Sequence, residues 1–263
     1  MPEGHTIHRL VLDLARDLAG HRLDVSSPQG RFGDAASLDR ARLVKTSAVG
    51  KHLFLEFDRA AVHIHLGLFG RFRRSPLPAA EPKGALRLRL VGPTHFWDLR
   101  GPTRCEVIDD AARSELLGRL GVDPLAEGAD PKPAWQRIQK TRRAIGAVLL
   151  DQRIFSGLGN VYRAEILFML GIHPETRADA LTRKQFNALW KLARELLARG
   201  VKERRIVTKP PQKGRRLKRN ESLYIYAQRT CEACQSPVRR WIVGARAIYA
   251  CETCQPAARP ATE

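Results

Sequence analysis

Four of the five cysteines form two pairs near the C-terminal end of the sequence. Cys231 and Cys234 make one Cys-x-x-Cys unit, Cys251 and Cys254 make a second, and sixteen residues separate the two. Four thiolates at this spacing are typical of a tetrahedral zinc site with no open coordination position, which is a structural site. Four unrelated cysteines and a redox-active pair are the alternatives, and the repeated unit favours metal. The fifth cysteine, Cys105, is interpreted as a buried core thiol.

The sequence Met1-Pro2-Glu3-Gly4 is the second feature that could do chemistry. If Met1 is removed, Pro2 carries a secondary amine. An α-amine titrates near pH 8, roughly two units below lysine, so more of it is neutral and nucleophilic at pH 7. A helix that begins here would lower the pKa of the amine further, because its dipole disfavours a cation. Glu3 would then be an adjacent carboxyl able to transfer a proton. Alone, the pattern fits an uninformative terminus equally well.

Net charge indicates the class of partner. The chain has 263 residues, with 46 Lys and Arg against 27 Asp and Glu, which gives a formal charge of +19 and a pI near 10.6. Such a balance favours nucleic acid as the partner, with an anionic membrane surface as the alternative. The sequence has no run of about 18 apolar residues and no secretory signal after Met1, so we expect a cytoplasmic protein that does not enter a membrane. Paired cysteines in a reducing compartment are more often metal ligands than disulfides.

The elements that must position these residues begin with a predicted helix that ends near Gly20. Its apolar residues recur at helical spacing: Ile7, Leu10, Val11, Leu14 and Leu18. From about Leu23 to Val107, apolar residues alternate instead, most clearly at 53–57, 62–66 and 86–90. Alternation with Gly- and Pro-containing turns is typical of strands with one buried face. The residues therefore predict an antiparallel β domain, sandwich or barrel, led by one helix.

The second half of the chain has a helical pattern. Residues 121–133 are dense in Pro, Gly and Asp, as in a domain linker. Thr182 and Gln185 make a possible capping box. One helix face follows, with Phe186, Leu189, Trp190, Ala193, Leu196 and Leu197. Lys202–Arg219 contains nine Lys and Arg and is predicted to be a basic loop. The element that carries the paired cysteines begins near Leu223.

Five motifs occur in a fixed order along the chain. They are Met1-Pro2-Glu3-Gly4, Gly50-Lys51-His52-Leu53, His65-Leu66-Gly67, Gly157-Leu-Gly-Asn160-Val-Tyr-Arg-Ala-Glu165, and the four-cysteine element with Gly244-Ala-Arg246. Together they resemble the formamidopyrimidine-DNA glycosylase and endonuclease VIII family, over residues 2–255. The resemblance implies an α+β multidomain fold. It consists of an N-terminal β-sandwich with one leading helix at 1–122, a helix-two-turns-helix domain at 133–222 and a zinc finger at 223–258.

The same resemblance implies roles for individual residues. Pro2 would be the nucleophile, Glu3 the proton donor, and Lys51 a contact to the phosphate beside the lesion. Contacts to DNA are implied for His65, Leu68, Phe69, Asn160 and Arg246. Asn160 begins a predicted helix, where backbone N–H groups favour a phosphate, and Leu68 with Phe69 occupies the position of the wedge that fills the gap left by a flipped base. A solvated strand-end lysine, an ordinary strand histidine and a hairpin core pair are the respective alternatives for Lys51, His65 and Leu68 with Phe69.

The chain departs from the family pattern in three places. His5 stands where proline is frequent, Thr6 where a second glutamate is common, and Ala245 where a longer polar residue is frequent. The second change leaves Glu3 as the only carboxyl of this stretch. Gly4 is closer to the endonuclease VIII branch than to the branch that acts on purines.

The function implied by the resemblance is that of a bifunctional glycosylase and abasic-site lyase of base excision repair. It would remove oxidised bases, pyrimidines above purines, from damaged DNA. One structural zinc, no organic cofactor and a monomeric state are expected. A lesion-binding paralogue without activity and a preference for oxidised purines are alternatives. A bare zinc-ribbon protein is a third, but it leaves the first 220 residues unexplained.

Overall fold

The computed structural model describes residues 2–210, 215, 217–218 and 221–257. The chain divides into two compact units, Met1–Arg119 and Leu120–Glu263. The helices of the first unit are α1 (Gly4–Leu18), α2 (Ala35–Leu38) and α3 (Asp110–Gly118). Its strands are β1 (Asp24–Ser26), β2 (Leu43–Val49), β3 (His52–Phe57), β4 (Ala61–His65), β5 (Arg71–Pro76), β6 (Leu88–Val91), β7 (His95–Arg100) and β8 (Arg104–Ile108).

Helix α1 forms where the apolar periodicity predicts it. Ile7, Leu14 and Leu18 are fully buried, so one stripe of the helix faces the core. Gly20 follows the helix with φ +83°, a conformation that glycine adopts without strain. The hydroxyl of Thr46 donates to the carbonyl of Val11 over 3.0 Å and ties the helix to β2.

The strands of the first unit form a β-sandwich rather than a barrel. Two antiparallel four-stranded sheets have the orders β1-β6-β7-β5 and β2-β3-β4-β8. Their apolar faces and α1 enclose one core, to which Leu53, Leu55 and Ile64 contribute. The predicted α+β class with an N-terminal sandwich and one leading helix is confirmed. Strand β6 begins two residues later than the alternation predicts, because the N–H of Leu86 donates to Oε1 of Gln29 and not to a neighbouring strand.

Helices form the core of the second unit. They are α4 (Lys132–Ile138), α5 (Ile145–Val148), α6 (Asn160–Met169) and α7 (Arg183–Glu203). The predicted capping box at the start of α7 is present, since Gln185 N donates to the Thr182 hydroxyl and Thr182 N to Oε1 of Gln185. The predicted apolar face of α7 is buried against α4 and α6. Strands β9 (Arg239–Val243) and β10 (Arg246–Ala250) form an antiparallel hairpin.

Two segments that the sequence assigns to connections have more structure than their composition indicates. Residues 121–133 pack within the second unit: Val122 bridges to Phe155, and Asp123 is buried with its carboxylate accepting from the N–H of Leu125. The basic segment 202–219 begins inside α7, and Thr208 is buried. Its residues 211–214, 216 and 219 lie outside the described part of the chain, so the predicted basic loop is described over only part of its length. None of the described helices is both long and apolar enough to span a bilayer.

Candidate functional site

The predicted nucleophile and proton donor lie at the beginning of α1. Pro2 is half-buried, and Glu3 is the N-cap residue, fully buried, with extended backbone. The N–H of Thr6 donates to the carbonyl of Glu3 over 2.9 Å and opens the first helical turn. Burial lowers the pKa of His5 to about 4, so the imidazole beside Glu3 is neutral at pH 7. An amine at position 2 therefore has a helix N-terminus and a buried carboxyl as its immediate neighbours.

Lys51 occupies a tight turn at one end of the β2-β3-β4-β8 sheet. Gly50 and Lys51 are the two residues between β2 and β3, and Gly50 has φ +59°, as the primed two-residue turns require at their first position. His52, the next residue, pairs directly with His65 on β4. The structure therefore brings Lys51 and His65 to the same end of the sheet.

The turn that follows β4 presents two apolar side chains to solvent. The N–H of Gly70 donates to the carbonyl of Leu66 over 2.9 Å, and Gly67 has φ +65°. A Cβ on Gly67 would lie 2.3 Å from Cγ2 of Thr103, so the turn has no room for another residue there. Leu68 is 43% exposed and Phe69 83% exposed. Neither is a hairpin core residue, and large apolar side chains at such exposure are typical of a contact surface.

Asn160 and Arg246 come together in the second unit through the β9–β10 hairpin. Asn160 is the first residue of α6, as predicted, and is only 5% exposed. Its Nδ2 donates to the carbonyl of Ala247 over 2.9 Å, and its Oδ1 accepts from Arg163. Arg246 is exposed at the start of β10, next to the turn that Gly244 and Ala245 make with positive φ. One N–H hydrogen of the Asn160 amide is thus used by Ala247 and the carbonyl oxygen by Arg163, which leaves the second N–H hydrogen.

Two buried charges in α6 hold the surrounding chain in place, and the sequence analysis assigned them no role. The guanidinium of Arg163 is fully buried and donates to the carbonyls of Gly146 (3.0 Å), Val243 (2.8 Å) and Ala247 (3.0 Å). Glu165 is fully buried as well, and its carboxylate accepts three backbone N–H groups, those of residues 224–226. The signal that could have revealed them is an Arg and a Glu two residues apart in a helix that is otherwise apolar, since buried charges need partners.

The four paired cysteines converge at the base of the hairpin. Their Sγ atoms all lie within 4.8 Å of one another, and Cys231 to Cys254 is 3.8 Å and Cys234 to Cys251 3.4 Å. A tetrahedron with Zn–S bonds of about 2.3 Å has S···S edges of roughly 3.8 Å. The donor set and its dimensions therefore fit a structural zinc, which would hold the two Cys-x-x-Cys turns together. Cys105 is partly buried against the first core, and burial raises the pKa of its thiol to about 12.

Comparison with known proteins identifies the family. The formamidopyrimidine-DNA glycosylase N-terminal domain matches residues 1–105, and the formamidopyrimidine-DNA glycosylase H2TH domain matches residues 120–211. Endonuclease 8 1 of Mycobacterium tuberculosis is 40% identical over 97% of this chain and the whole of that protein. Formamidopyrimidine-DNA glycosylase of Thermomicrobium roseum is 29% identical over 97% of this chain and 98% of that protein.

Solved structures show the same fold. Fpg of Lactococcus lactis in complex with DNA containing an abasic site has a TM-score of 0.81 at 22% identity, over 97% of this chain and all of that chain. MutM (Fpg) of Thermus thermophilus has a TM-score of 0.79 at 26% identity, over 98% of this chain and all of that chain. The chain therefore belongs to the formamidopyrimidine-DNA glycosylase and endonuclease 8 family, whose members are DNA glycosylases that act in base excision repair.

Proposed function

We propose that this chain is a bifunctional DNA glycosylase and abasic-site lyase that acts through the amine of Pro2. The observation that carries the proposal is the arrangement at the start of α1, where a proline at position 2 precedes a fully buried glutamate at a helix N-terminus. Removal of Met1 exposes the secondary amine. A DNA-binding protein without catalytic activity would not need Pro2, the buried Glu3 and Lys51, which lies in the turn at one end of the sheet.

The reaction would proceed in two stages. The Pro2 nitrogen attacks C1′ of the damaged nucleotide, and the base leaves with a proton supplied by the buried carboxyl of Glu3. Opening of the sugar ring gives an iminium between Pro2 and C1′, which acidifies the proton on C2′. Loss of that proton expels the 3′ phosphate by β-elimination, and water releases the enzyme. Lys51 would contact the phosphate beside the lesion and stabilise its charge.

The remaining predicted residues would bind DNA. His65 and Arg246 would contact phosphates, and Asn160 would use the second hydrogen of its amide at the N-terminus of α6. Leu68 and Phe69 would fill the gap left by the flipped nucleotide, for which their exposure suits them. These contacts do not depend on the base sequence of the DNA, as an enzyme that acts on damage in any sequence requires.

Oxidised pyrimidines are the proposed substrates. The 40% identity to an endonuclease 8 along the whole chain supports this branch, and so does Gly4. Oxidised purines are the second candidate, supported by the relatives named formamidopyrimidine-DNA glycosylase at 29% identity. A second elimination from the same iminium, at the δ position, would release the 5′ phosphate too.

We also propose the division into three domains that the resemblance implies, at 1–122, 133–222 and 223–258, with Val122 at the first boundary bridged to Phe155 of the second domain. Three separate apolar clusters support it, one in the sandwich, one among the helices and one around the cysteines. The zinc would serve the third of these as a cross-link. A monomer that resides in the cytoplasm and associates with the nucleoid through its net charge of +19 completes the proposal.

Borohydride trapping tests the nucleophile. The protein without Met1 is incubated with a duplex carrying an abasic site, the iminium is reduced, and the covalent adduct is mapped by peptide mass spectrometry. We expect the adduct on Pro2. A protein with an N-terminal extension is the matched control, because acylation makes the amine an amide without changing the fold, and it should give no adduct.

Glu3→Gln separates the two stages. Excision of an oxidised pyrimidine should fall by about 10²–10⁴-fold with the proton donor removed, while trapping on a pre-formed abasic site should be reduced far less. An adduct on Lys51, or full trapping by the extended protein, would refute the assignment. Nicking of 8-oxoguanine duplexes faster than oxidised-pyrimidine duplexes would move the chain to the purine branch.

A further inference from the structure

Three histidines lie together on one face of the β2-β3-β4-β8 sheet. His52 of β3 pairs with His65 of β4, and His63 lies on the same face, two residues from His65. The ring centroid of His52 is 5.1 Å from that of His63 and 4.9 Å from that of His65. This face is opposite to the one that carries Leu53 into the core. Of the three, only His65 has a role in the proposed function.

Hydrogen bonds from β8 fix which nitrogen of His52 carries its hydrogen. Oε1 of Glu106 lies 3.1 Å from Nδ1 of His63, and because a carboxylate only accepts, that Nδ1 donates. In neutral His63 the other nitrogen, Nε2, is therefore an acceptor. It lies 2.9 Å from Nδ1 of His52, which must donate to it. Nε2 of neutral His52 therefore carries a lone pair and no hydrogen.

His65 reaches the same state through a different partner. The hydroxyl of Thr103 donates to the backbone carbonyl of His65 over 3.0 Å, and a hydroxyl has one hydrogen to give. With its hydrogen directed to that carbonyl, the same oxygen accepts from Nδ1 of His65 over 2.8 Å. Nε2 of neutral His65 then also carries a lone pair and no hydrogen. Both rings use Nδ1 to bind the protein and keep Nε2 for protonation.

The charges around the two rings select the ligand. Burial first, then the neighbouring histidines, Lys51 and Arg104, lower the pKa of His52 to about 3, and burial, followed by His63, Lys51 and Arg104, lowers the pKa of His65. Both rings are therefore neutral at pH 7 in the free protein. The groups that face them are Lys51, His63, Arg104 and Glu106, with the ion pair of Arg113 and Glu56 beyond Phe54.

An anion fits these surroundings and a metal cation does not. Lys51 and Arg104 repel a divalent cation, and among the described residues only the four cysteines are grouped closely enough to hold one. A phosphate at the Nε2 edges of the two rings would offset both cations and accept an N–H from a ring whose Nε2 has become protonated. Since an anion favours the charged form of a nearby imidazole, it would draw a proton onto the site.

We propose that His52 and His65, with Lys51, form a binding site for one phosphate of the DNA backbone that takes up a proton when the phosphate binds. His63 and Glu106 are positioning residues, which orient His52 through Nδ1. The inference rests on the proposed function for the identity of the anion. Its consequence is reciprocal: DNA binding promotes protonation, and protons promote DNA binding to the same extent.

Calorimetry on the full-length, zinc-loaded protein tests the proton uptake. The probe is a duplex with a tetrahydrofuran abasic analogue, which the enzyme cannot cleave, at pH 6.5 and fixed ionic strength in two buffers of different ionisation enthalpy. We expect about one proton taken up per complex, and a Kd that falls by up to tenfold per unit as pH drops from 7.5 to 6. No uptake by the wild type would overturn the proposal without the need for any variant.

Two variants assign the proton to the site. His52→Gln keeps a polar side chain that does not titrate, and with His65→Gln it should abolish the uptake. His21→Gln is the matched control, since His21 is exposed and lies outside the cluster, and it should bind one proton like the wild type. Uptake that persists in the double variant would overturn the proposal. A wild type that fails to bind the duplex at all would overturn the proposed function instead.

Discussion

Glu165→Gln should destabilise the second unit, and the hydrogen bonds of the carboxylate set the size of the effect. Oε1 accepts from the N–H groups of Ile225 (2.9 Å) and Tyr226 (2.8 Å), and Oε2 from the N–H of Tyr224 (2.7 Å) and the hydroxyl of Thr208. Glutamine has the same shape, but it replaces one acceptor oxygen by an NH2 donor and removes the charge.

The NH2 group should take the place of Oε2, because the partners there can adapt. The hydroxyl of Thr208 lies 3.2 Å from the carbonyl of Ser222, so it can donate there and accept from the new amide. The N–H of Tyr224 then loses its acceptor, which costs about 1–3 kcal/mol. The two hydrogen bonds to Oε1 lose a charged acceptor, which lowers the stability by about 1 kcal/mol each. The lower cost of burying an amide offsets part of this, which leaves about 2–4 kcal/mol.

Thermal unfolding measures the loss. At about 3 °C per kcal/mol for a domain of this size, Glu165→Gln should melt roughly 6–12 °C below the wild type. The matched control is Glu195→Gln on α7, where the side chain is 53% exposed and 4.0 Å from Lys191, and it should change stability by at most about 0.5 kcal/mol. Equal melting temperatures for the two variants would show that the network around Glu165 does not stabilise the fold.

Three further predictions follow from other parts of the structure. Cys234→Ser should lower the zinc content of the purified protein from about one equivalent toward zero, by metal analysis, while the sandwich stays folded. Burial raises the pKa of Asp17, but the hydrogen bonds from Arg74 and Arg16 outweigh it and lower that pKa from 3.8 to about 2. Roughly 2 kcal/mol of folding stability is therefore present above pH 4 and should be lost as the pH falls from about 4 to about 2. Asp17→Asn should remove this pH dependence from acid unfolding titrations. Ala245→Gly should raise the free energy of unfolding by about 0.5–1 kcal/mol in denaturant, because Ala245 has φ +62° in the hairpin turn.

The sequence predicts the elements whose signals are local. The stripe of α1 and the face of α7 repeat within a few turns, and the Thr182–Gln185 capping box spans three residues. The convergence of the four cysteines is predicted equally well, since each Cys-x-x-Cys turn forms within five residues: the N–H groups of Gln235 and Gln255 donate to the carbonyls of the first cysteine of their own turn. Local spacing fixes local geometry in all of these.

The features that escape prediction depend on distant partners. The bond from Arg163 to Val243 spans 80 residues and that from Glu165 to Tyr224 spans 59, so nothing near α6 in sequence indicates what the charges contact. The late start of β6 has the same origin, because Gln29 lies 57 residues from Leu86. The tautomers of the histidine cluster depend likewise on Glu106, which only the pairing of β4 with β8 brings close.

The buried charges of α6 have a structural role, because the apolar cluster around the cysteines is too small to orient the proposed zinc finger by itself. Two of its six buried members are Cys231 and Cys251, which belong to the proposed zinc site. Apolar contacts are non-directional, so a cluster of this size would let the β9–β10 hairpin shift along α6 at little cost. Arg163 needs several carbonyls in one geometry, and any shift leaves its buried guanidinium without acceptors. The proposed zinc would therefore close the finger, while Arg163 sets its register against the helix that begins with Asn160, and loss of either should displace Arg246.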